Sequence, residues 1–256
     1  MKNMKTISKL EIITKKCYGN VVFFLLRGDA PLPDITAGQF VQMRVENNPN
    51  VYLRRPISIH DVDYQNNTVS FLIQEIGEGT CSLGALAEGN AIDVVWPLGK
   101  GFTIANKGDK VLLVGGGIGI APLLYLGKKL KENDVDPVFL LGGRSAKDLV
   151  RLEEYNGIGE VFITTNDGTL GEKGFVTQHS LWNESSFDRC YVCGPLPMMK
   201  AVAGMAKMKN VWCEVSLENM MACGLGACLC CVENTVDGNV CVCKEGPVFN
   251  INKLLW

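Results

Sequence analysis

Four cysteines near the end of the 256-residue chain carry the clearest chemistry. Cys223, Cys228, Cys231 and Cys243 are spaced C-x4-C-x2-C-x11-C. Three thiolates at x4 and x2, followed by a distant fourth, have the ligand spacing of a plant-type [2Fe–2S] cluster. The first three would share one tight loop around the metal centre. Gly224 and Gly226 lie inside that loop. Glycine tolerates positive φ and lets the backbone come close to inorganic sulfide with its N–H groups. Such hydrogen bonds favour the added charge of a reduced cluster. Cys230 and Cys241 lie near enough to compete, and Cys231 is chosen because it keeps the x2 spacing.

Other uses of these thiols fit less well. A four-cysteine zinc site usually shows two C-x2-C knuckles, and Cys241-x1-Cys243 makes a poor second one. A Rieske centre needs two histidines, but His60 and His179 are distant in sequence. The total of 11 cysteines is odd, and seven fall between Cys213 and Cys243. The basic start, Met1 to Lys9, leads into no apolar run and so reads as no export signal. A disulfide framework is therefore disfavoured. Cys17, Cys81, Cys190 and Cys213 read as small buried apolar residues.

A second candidate site is Gly115-Gly116-Gly117-Ile118-Gly119-Ile120-Ala121-Pro122. It follows an apolar strand and opens a helix, a context that suits phosphate. The Rossmann expression G-x-G-x-x-G is not met, because Ile120 stands at the sixth position from Gly115. A tight strand-to-helix turn without ligand would also choose glycines. No acidic ribose ligand ends the next strand, where Gly142-Gly143-Arg144 stands instead. NAD and NADP are thus not separated by this pattern. Cys193-Gly194-Pro195 ends a later strand, and ligands in open α/β sheets sit at such ends.

Leu53-Arg54-Arg55-Pro56-Ile57-Ser58-Ile59 puts two arginines in a strand-like segment. A guanidinium facing a cleft can clamp pyrophosphate with two parallel hydrogen bonds, but surface arginines beside a strand would look the same. Gly77-Glu78-Gly79-Thr80 reads as an ordinary turn or as a loop meeting a phosphate.

The elements that must position these residues divide the chain. Up to about residue 103, short apolar runs such as Val21–Leu26, Phe40–Val45 and Val69–Ile73 alternate with turn-rich segments. That spacing predicts an antiparallel barrel, with one short helix near Gly77–Leu86. From 104 to 210, the apolar runs Val111–Val114, Val138–Leu141, Val161–Thr164 and Cys190–Cys193 alternate with helical stretches. This predicts a parallel sheet. Leu123, Leu126 and Leu130 form one apolar helix face, with Pro122 in the first turn. Residues 211–256 have little core of their own and would lean on a metal centre. The formal charge of −2 and the 47% hydrophobic, 20% charged composition give no reason to expect nucleic acid. The longest apolar stretch, Val111–Leu126, is broken by glycines and shorter than the ~20 residues a membrane span needs. A soluble cytoplasmic protein is expected.

RPIS, GEGT, GGGIGIAP, CGP and the cysteine loop occur together and in that order. In this arrangement the chain resembles the ferredoxin–NADP reductase superfamily. Within it, the chain is similar to the electron-transfer subunits of class 1B dihydroorotate dehydrogenases from about Leu10 to Phe249. The most specific segments are LRRPISI at 53–59, GGGIGIAPLL at 115–124, MACGLGAC at 221–228 and CKEGPVF at 243–249. The resemblance implies a multi-domain β and α/β fold: an antiparallel FAD-binding barrel (1–103), a parallel-sheet NAD-binding domain (104–210) and a small [2Fe–2S] domain (211–256). It implies FAD contacts at Arg55, Pro56, Ile57, Ser58, Leu72, Ile73, Gln74, Gly79 and Thr80. It implies a nicotinamide nucleotide site at Gly115, Gly116, Gly117, Gly119, Pro122, Cys193, Gly194 and Pro195. Cluster ligation is implied at the four cysteines chosen above.

Ile57 stands where many superfamily members carry a flavin-stacking tyrosine, so the stacking partner is open. The implied partner is an FMN-containing dihydroorotate dehydrogenase catalytic subunit, in a heterotetramer of two of each. Electrons would run from dihydroorotate through FMN, [2Fe–2S] and FAD to NAD+, in pyrimidine (UMP) biosynthesis. No residue here suggests a dihydroorotate site. The alternative is a related subunit of a hydrogenase or of a ferredoxin–NAD(P) oxidoreductase.

Overall fold

The structure is a computed structural model and describes residues 5–256; the first four residues of the basic start lie outside the described residues. Its first part contains β1 (Thr6–Tyr18), β2 (Val21–Gly28), β3 (Phe40–Met43), β4 (Arg55–Ser58), β5 (Asp61–Asp63), β6 (Thr68–Gln74), α1 (Glu78–Gly84) and β7 (Ala91–Leu98). The seven strands form one antiparallel sheet in the order β4-β3-β7-β1-β2-β6-β5. The edge strands β4 and β5 are joined by Ile59 and His60 alone. Ile59 N–H donates to Gln39 C=O and His60 N–H to Ser70 C=O. This connector therefore bonds to both sides of the curled sheet and draws it into a barrel, as expected.

The strands are apolar on both faces where both are covered. In β2, Val22, Phe24 and Leu26 join the barrel core, while Val21 and Phe23 join a separate cluster with Leu72, Ala121 and Val150. In β3 the alternation sends Val41 and Met43 inward and Phe40 outward. Gln42 shares the parity of Phe40 and is buried.

The second part contains β8 (Val111–Gly116), α2 (Ala121–Glu132), β9 (Pro137–Gly143), α3 (Leu152–Asn156), β10 (Glu160–Thr165), β11 (Glu172–Lys173), α4 (Leu181–Glu184), β12 (Arg189–Cys193), α5 (Leu196–Met208) and β13 (Trp212–Ser216). These strands are parallel, in the order β11-β10-β9-β8-β12-β13. From β8 the chain winds outward to β9 and β10 on one side and to β12 and β13 on the other. That reversal opens a crevice at the carboxyl ends of the strands. The glycine loop and Cys193-Gly194-Pro195 both lie there. Leu123, Leu126 and Leu130 are fully buried on α2. Each such leucine contributes about 1.5–3 kcal/mol of hydrophobic burial.

The last part is β14 (Val232–Thr235), β15 (Gly238–Cys241), α6 (Val242–Glu245) and β16 (Val248–Asn250). β16 adds antiparallel to β13. Both β13, expected beyond residue 210, and β16 thus belong to the large sheet. Cys213 and Val215 are fully buried in the same core as β12, which holds β13 there. The cysteine loop and the β14–β15 hairpin form an excursion whose ends meet where Leu217 N–H donates to Pro247 C=O at 2.9 Å.

Cys190 and Cys213 are buried, as expected, and face each other across β12 and β13. Cys17 and Cys81 are exposed, contrary to the buried reading. They occupy the outward positions of β1 and α1, where local sequence does not reveal which face is covered.

Barrel and sheet are joined by polar contacts around buried His60. Its Nδ1 lies 2.9 Å from Ala121 C=O and its Nε2 3.3 Å from Glu154. Arg151 bonds Glu154 and Tyr18 Oη, and its guanidinium lies over the Phe23 ring. These contacts fix the angle between the two parts, and so the walls of the crevice between them.

Candidate functional site

The crevice is a cleft of about 730 Å³ whose walls come from both parts of the fold. The barrel supplies Val21, Gln74 and Ile76; the sheet supplies Gly116, Gly117, Gly119, Gly194 and Pro195. The glycines are there because backbones meet. A Cβ on Gly119 would lie 2.5 Å from Gly194 Cα and 2.6 Å from Cys193 C=O. One on Gly116 would lie 2.4 Å from Met198 Sδ. Gly115 is packed beneath, against Ile120 and Leu123. On the wall, Thr164 Oγ1 is buried with no partner among the described residues. An extended cleft, a close backbone turn and an unpaired hydroxyl fit a dinucleotide. Pro122 and Cys193 are buried and do not line the cleft. Burial pushes the Cys193 thiol well up, with Glu218 adding to the shift, so it is a neutral, packed residue.

On the barrel, the two adjacent arginines have different tasks. Arg54 is committed: it pairs with Asp93 at 2.6 Å and donates to the carbonyls of Gln42 and Asp93. Arg55 makes no ion pair or hydrogen bond among the described residues and is half-buried. Its side chain lies across Gly79, where a Cβ would come within 2.2 Å of Arg55 Nε. The Thr80 hydroxyl accepts from Ile76 and Gly77 N–H and donates to Gly77 C=O, which pins the turn. A free guanidinium lying over a turn that carries no side chain at Gly79 fits a diphosphate. Pro56, Ile57 and Ser58 continue β4, half-buried, and Leu72 and Ile73 are buried next to Gln74 in β6.

The cysteine loop packs on the outer face of the barrel. Gly224 and Gly226 have φ of +67° and +81°, as the loop reading expects. The four thiols fall into two neighbouring pairs: Cys223 with Cys228, and Cys243 with Cys231, whose Sγ accepts from Cys243 N–H at 3.4 Å. Two thiols for each of two irons fit a binuclear cluster. Among the described residues no three Cys, His, Asp or Glu side chains converge on the position of a single ion.

Leu225 N–H donates to Cys223 Sγ at 3.3 Å, and Gly226 N–H to Cys243 Sγ at 3.1 Å. Partial burial raises the Cys223 thiol, but donation from Leu225, Cys228 and Ala227 N–H outweighs it and brings the thiol down to about 6. Burial, with Cys231 alongside, pushes Cys243 up to about 12. Cys231 and Cys243 are buried while Cys230 is exposed. Cys241 is directed at Gly226 C=O, at 3.9 Å.

Comparison with known proteins agrees with this layout. The model "Iron-sulfur cluster binding domain of dihydroorotate dehydrogenase B" matches residues 218–255, and "Oxidoreductase NAD-binding domain" matches 113–204. The dihydroorotate dehydrogenase B (NAD(+)) electron transfer subunit of Bacillus velezensis is 40% identical over 90% of this chain and 91% of its own. That of Caldanaerobacter subterraneus is 36% identical over 99% of this chain and 100% of its own. The chain belongs to this family. Among solved structures, an NADH-dependent reduced ferredoxin-NADP oxidoreductase superposes with a TM-score of 0.88 at 31% identity, over 96% of this chain and 90% of that one. The ferredoxin reductase of carbazole 1,9a-dioxygenase shares the fold, with a TM-score of 0.69 at 23% identity, over 81% and 67%.

With the family's fold in place, two residues with no sequence signal gain positions at the site. Glu218 follows β13 and reaches the cleft beside Met198 and Pro195. It is exposed at the cleft, yet the protein around it desolvates its carboxyl and raises it. Gln42 lies under the cysteine loop. Neither belongs to a spaced motif, and only the packing of β3 and β13 brings them in.

Proposed function

We propose that this chain is the electron-transfer subunit of an NAD-dependent dihydroorotate dehydrogenase in pyrimidine (UMP) biosynthesis. Its partner is an FMN-containing catalytic subunit, two of each forming a heterotetramer. The carrying observation is the join of three sites: a cleft walled by barrel and sheet, an unpaired Arg55 on the barrel, and a cysteine loop packed on the barrel's outer face.

FAD belongs with 1–103, NAD with 104–210 and [2Fe–2S] with 211–256, whose first and last strands share the large sheet. Bound together, these groups would let the two electrons of one nicotinamide hydride be exchanged for single electrons. Arg55 and the Gly79–Thr80 backbone hold the flavin diphosphate, and Pro56, Ile57, Ser58 and Leu72–Gln74 orient its ring. Gly115–Gly117, Gly119 and Gly194–Pro195 admit the nicotinamide nucleotide along the cleft, with Pro122 and Cys193 supporting from beneath. Cys223, Cys228, Cys231 and Cys243 hold the cluster. Exposed Met220, Leu225 and Leu229 around the loop suit burial against the partner.

Among the described residues no helix is long and apolar enough to cross a membrane. We assign the protein to the cytoplasm, where thiols stay reduced.

Co-purification and reconstitution test this reading. With the catalytic subunit, dihydroorotate should reduce NAD+; alone, the chain should act only as an NADH diaphorase. The likeness to the ferredoxin-NADP oxidoreductase structure favours a second reading, a subunit of a ferredoxin-linked complex. Recovery from native extract with such a complex or a hydrogenase, and with no FMN dehydrogenase, would replace the first.

A further inference from the structure

Gln42 is 1% exposed, yet neither its Nε2 nor its Oε1 has a hydrogen-bond partner among the described residues. Leaving a buried amide unpaired costs about 1–3 kcal/mol, and a leucine would fit a strand that otherwise reads Phe-Val-x-Met. The unpaired amide lies against the cysteine loop. A Cβ on Gly224 would be 2.8 Å from Gln42 Cγ and 3.1 Å from its Nε2, and Gly224 directly follows Cys223. On its other side Gln42 pairs across the sheet with Pro56 of β4, inside the segment assigned to the flavin. It therefore stands between the two redox sites, with its donor end nearer the loop. Thiolate and sulfide sulfurs carry no proton, so they can meet this amide only as acceptors.

We propose that Gln42 Nε2 donates a hydrogen bond to a cluster sulfur, either Cys223 Sγ or an adjacent sulfide. The bond stabilises the reduced cluster and raises its reduction potential. The inference rests on the cluster assignment above and adds a residue from the flavin barrel to the cluster's surroundings.

The test uses the purified complete protein, prepared without oxygen. In wild-type protein labelled at glutamine side-chain amides with 15N, pulsed EPR of the reduced cluster should show a weak 15N coupling. A Gln42→Leu variant should lose that coupling. Its cluster potential should move negative while the flavin potential and the iron and sulfide content stay unchanged. Gln42→Glu, which replaces the donor with a carboxylate, should move the cluster potential further negative. No 15N coupling in wild-type protein would overturn the proposal, even if the variants fail to fold. So would an unshifted cluster potential in Gln42→Leu. Absence of iron and sulfide from wild-type protein would instead overturn the cluster assignment itself.

Discussion

Arg55 lies across the face of Gly79 so closely that a single methyl group at position 79 would come within 2.2 Å of its Nε. The Gly79→Ala variant must push the guanidinium aside. Losing a charge-assisted pair of hydrogen bonds costs about 1.5–3 kcal/mol, so flavin should bind roughly ten- to a hundredfold more weakly. Bound FAD per chain after gel filtration measures this, with iron content as the unchanged control.

Arg54 and Arg55 should separate cleanly. Arg54→Ala removes a half-buried ion pair with Asp93 and two bonds to backbone carbonyls. It should lower the unfolding free energy of the flavin-free protein by about 1–3 kcal/mol. Arg55→Ala breaks no bond to the described residues and should leave that stability nearly unchanged while flavin affinity falls. Urea unfolding beside flavin titration distinguishes the two.

Gly119→Ala should act on nicotinamide alone. Its Cβ would collide with Gly194 and Cys193 backbone, at 2.5 and 2.6 Å, and backbone cannot rotate away as a side chain can. KM for NADH should rise by roughly tenfold or more, with the flavin and cluster spectra unaltered. An unchanged KM would place the nucleotide elsewhere.

Glu154 sets a pH dependence at the joint between barrel and sheet. Burial opposes its ionisation, but His60 and Arg151 outweigh it and hold the carboxyl at about 2. A carboxyl easier to ionise in the folded chain stabilises fully above about 4.5. That contribution is lost as pH falls toward 2. Discounted for 29% exposure, it is on the order of 2 kcal/mol. Glu154→Gln should therefore cost most of this at neutral pH, and the gap from wild type should narrow near pH 3. A gap constant with pH would mean that packing, not charge, is at work.

How much of this was legible in the sequence depended on whether a residue's meaning is local. The cysteine spacing, Gly115–Gly119 and the α2 leucines declare themselves within a few residues, since loops and helix faces are local geometry. Arg54 and Arg55 look alike in sequence; Asp93, from β7, decides which is free. Trp212–Ser216 reads equally well as the start of a cluster segment, because its neighbour β12 is separated from it by a whole helix. Gln42 is a single polar residue in an apolar strand and Glu218 one just beyond the end of another, and only tertiary packing brings them to the loop and the cleft. Cys17 and Cys81 differ from Cys190 and Cys213 only in which face is covered.

The pairing of Cys223 with Cys228 and of Cys231 with Cys243 predicts which thiols matter. Cys228→Ser should lose the cluster, while Cys230→Ser, altering an exposed side chain, should keep it. Cluster loss from Cys230→Ser, with Cys231→Ser intact, would exchange the two assignments.

The most direct test of the whole account is the visible spectrum of anaerobically purified protein before and after NADH. Flavin and iron–sulfur bands should both be present, and both should bleach on a single addition. A spectrum without either set of bands, or a flavin that bleaches while the cluster bands persist, would contradict a chain that connects nicotinamide to the cysteine loop.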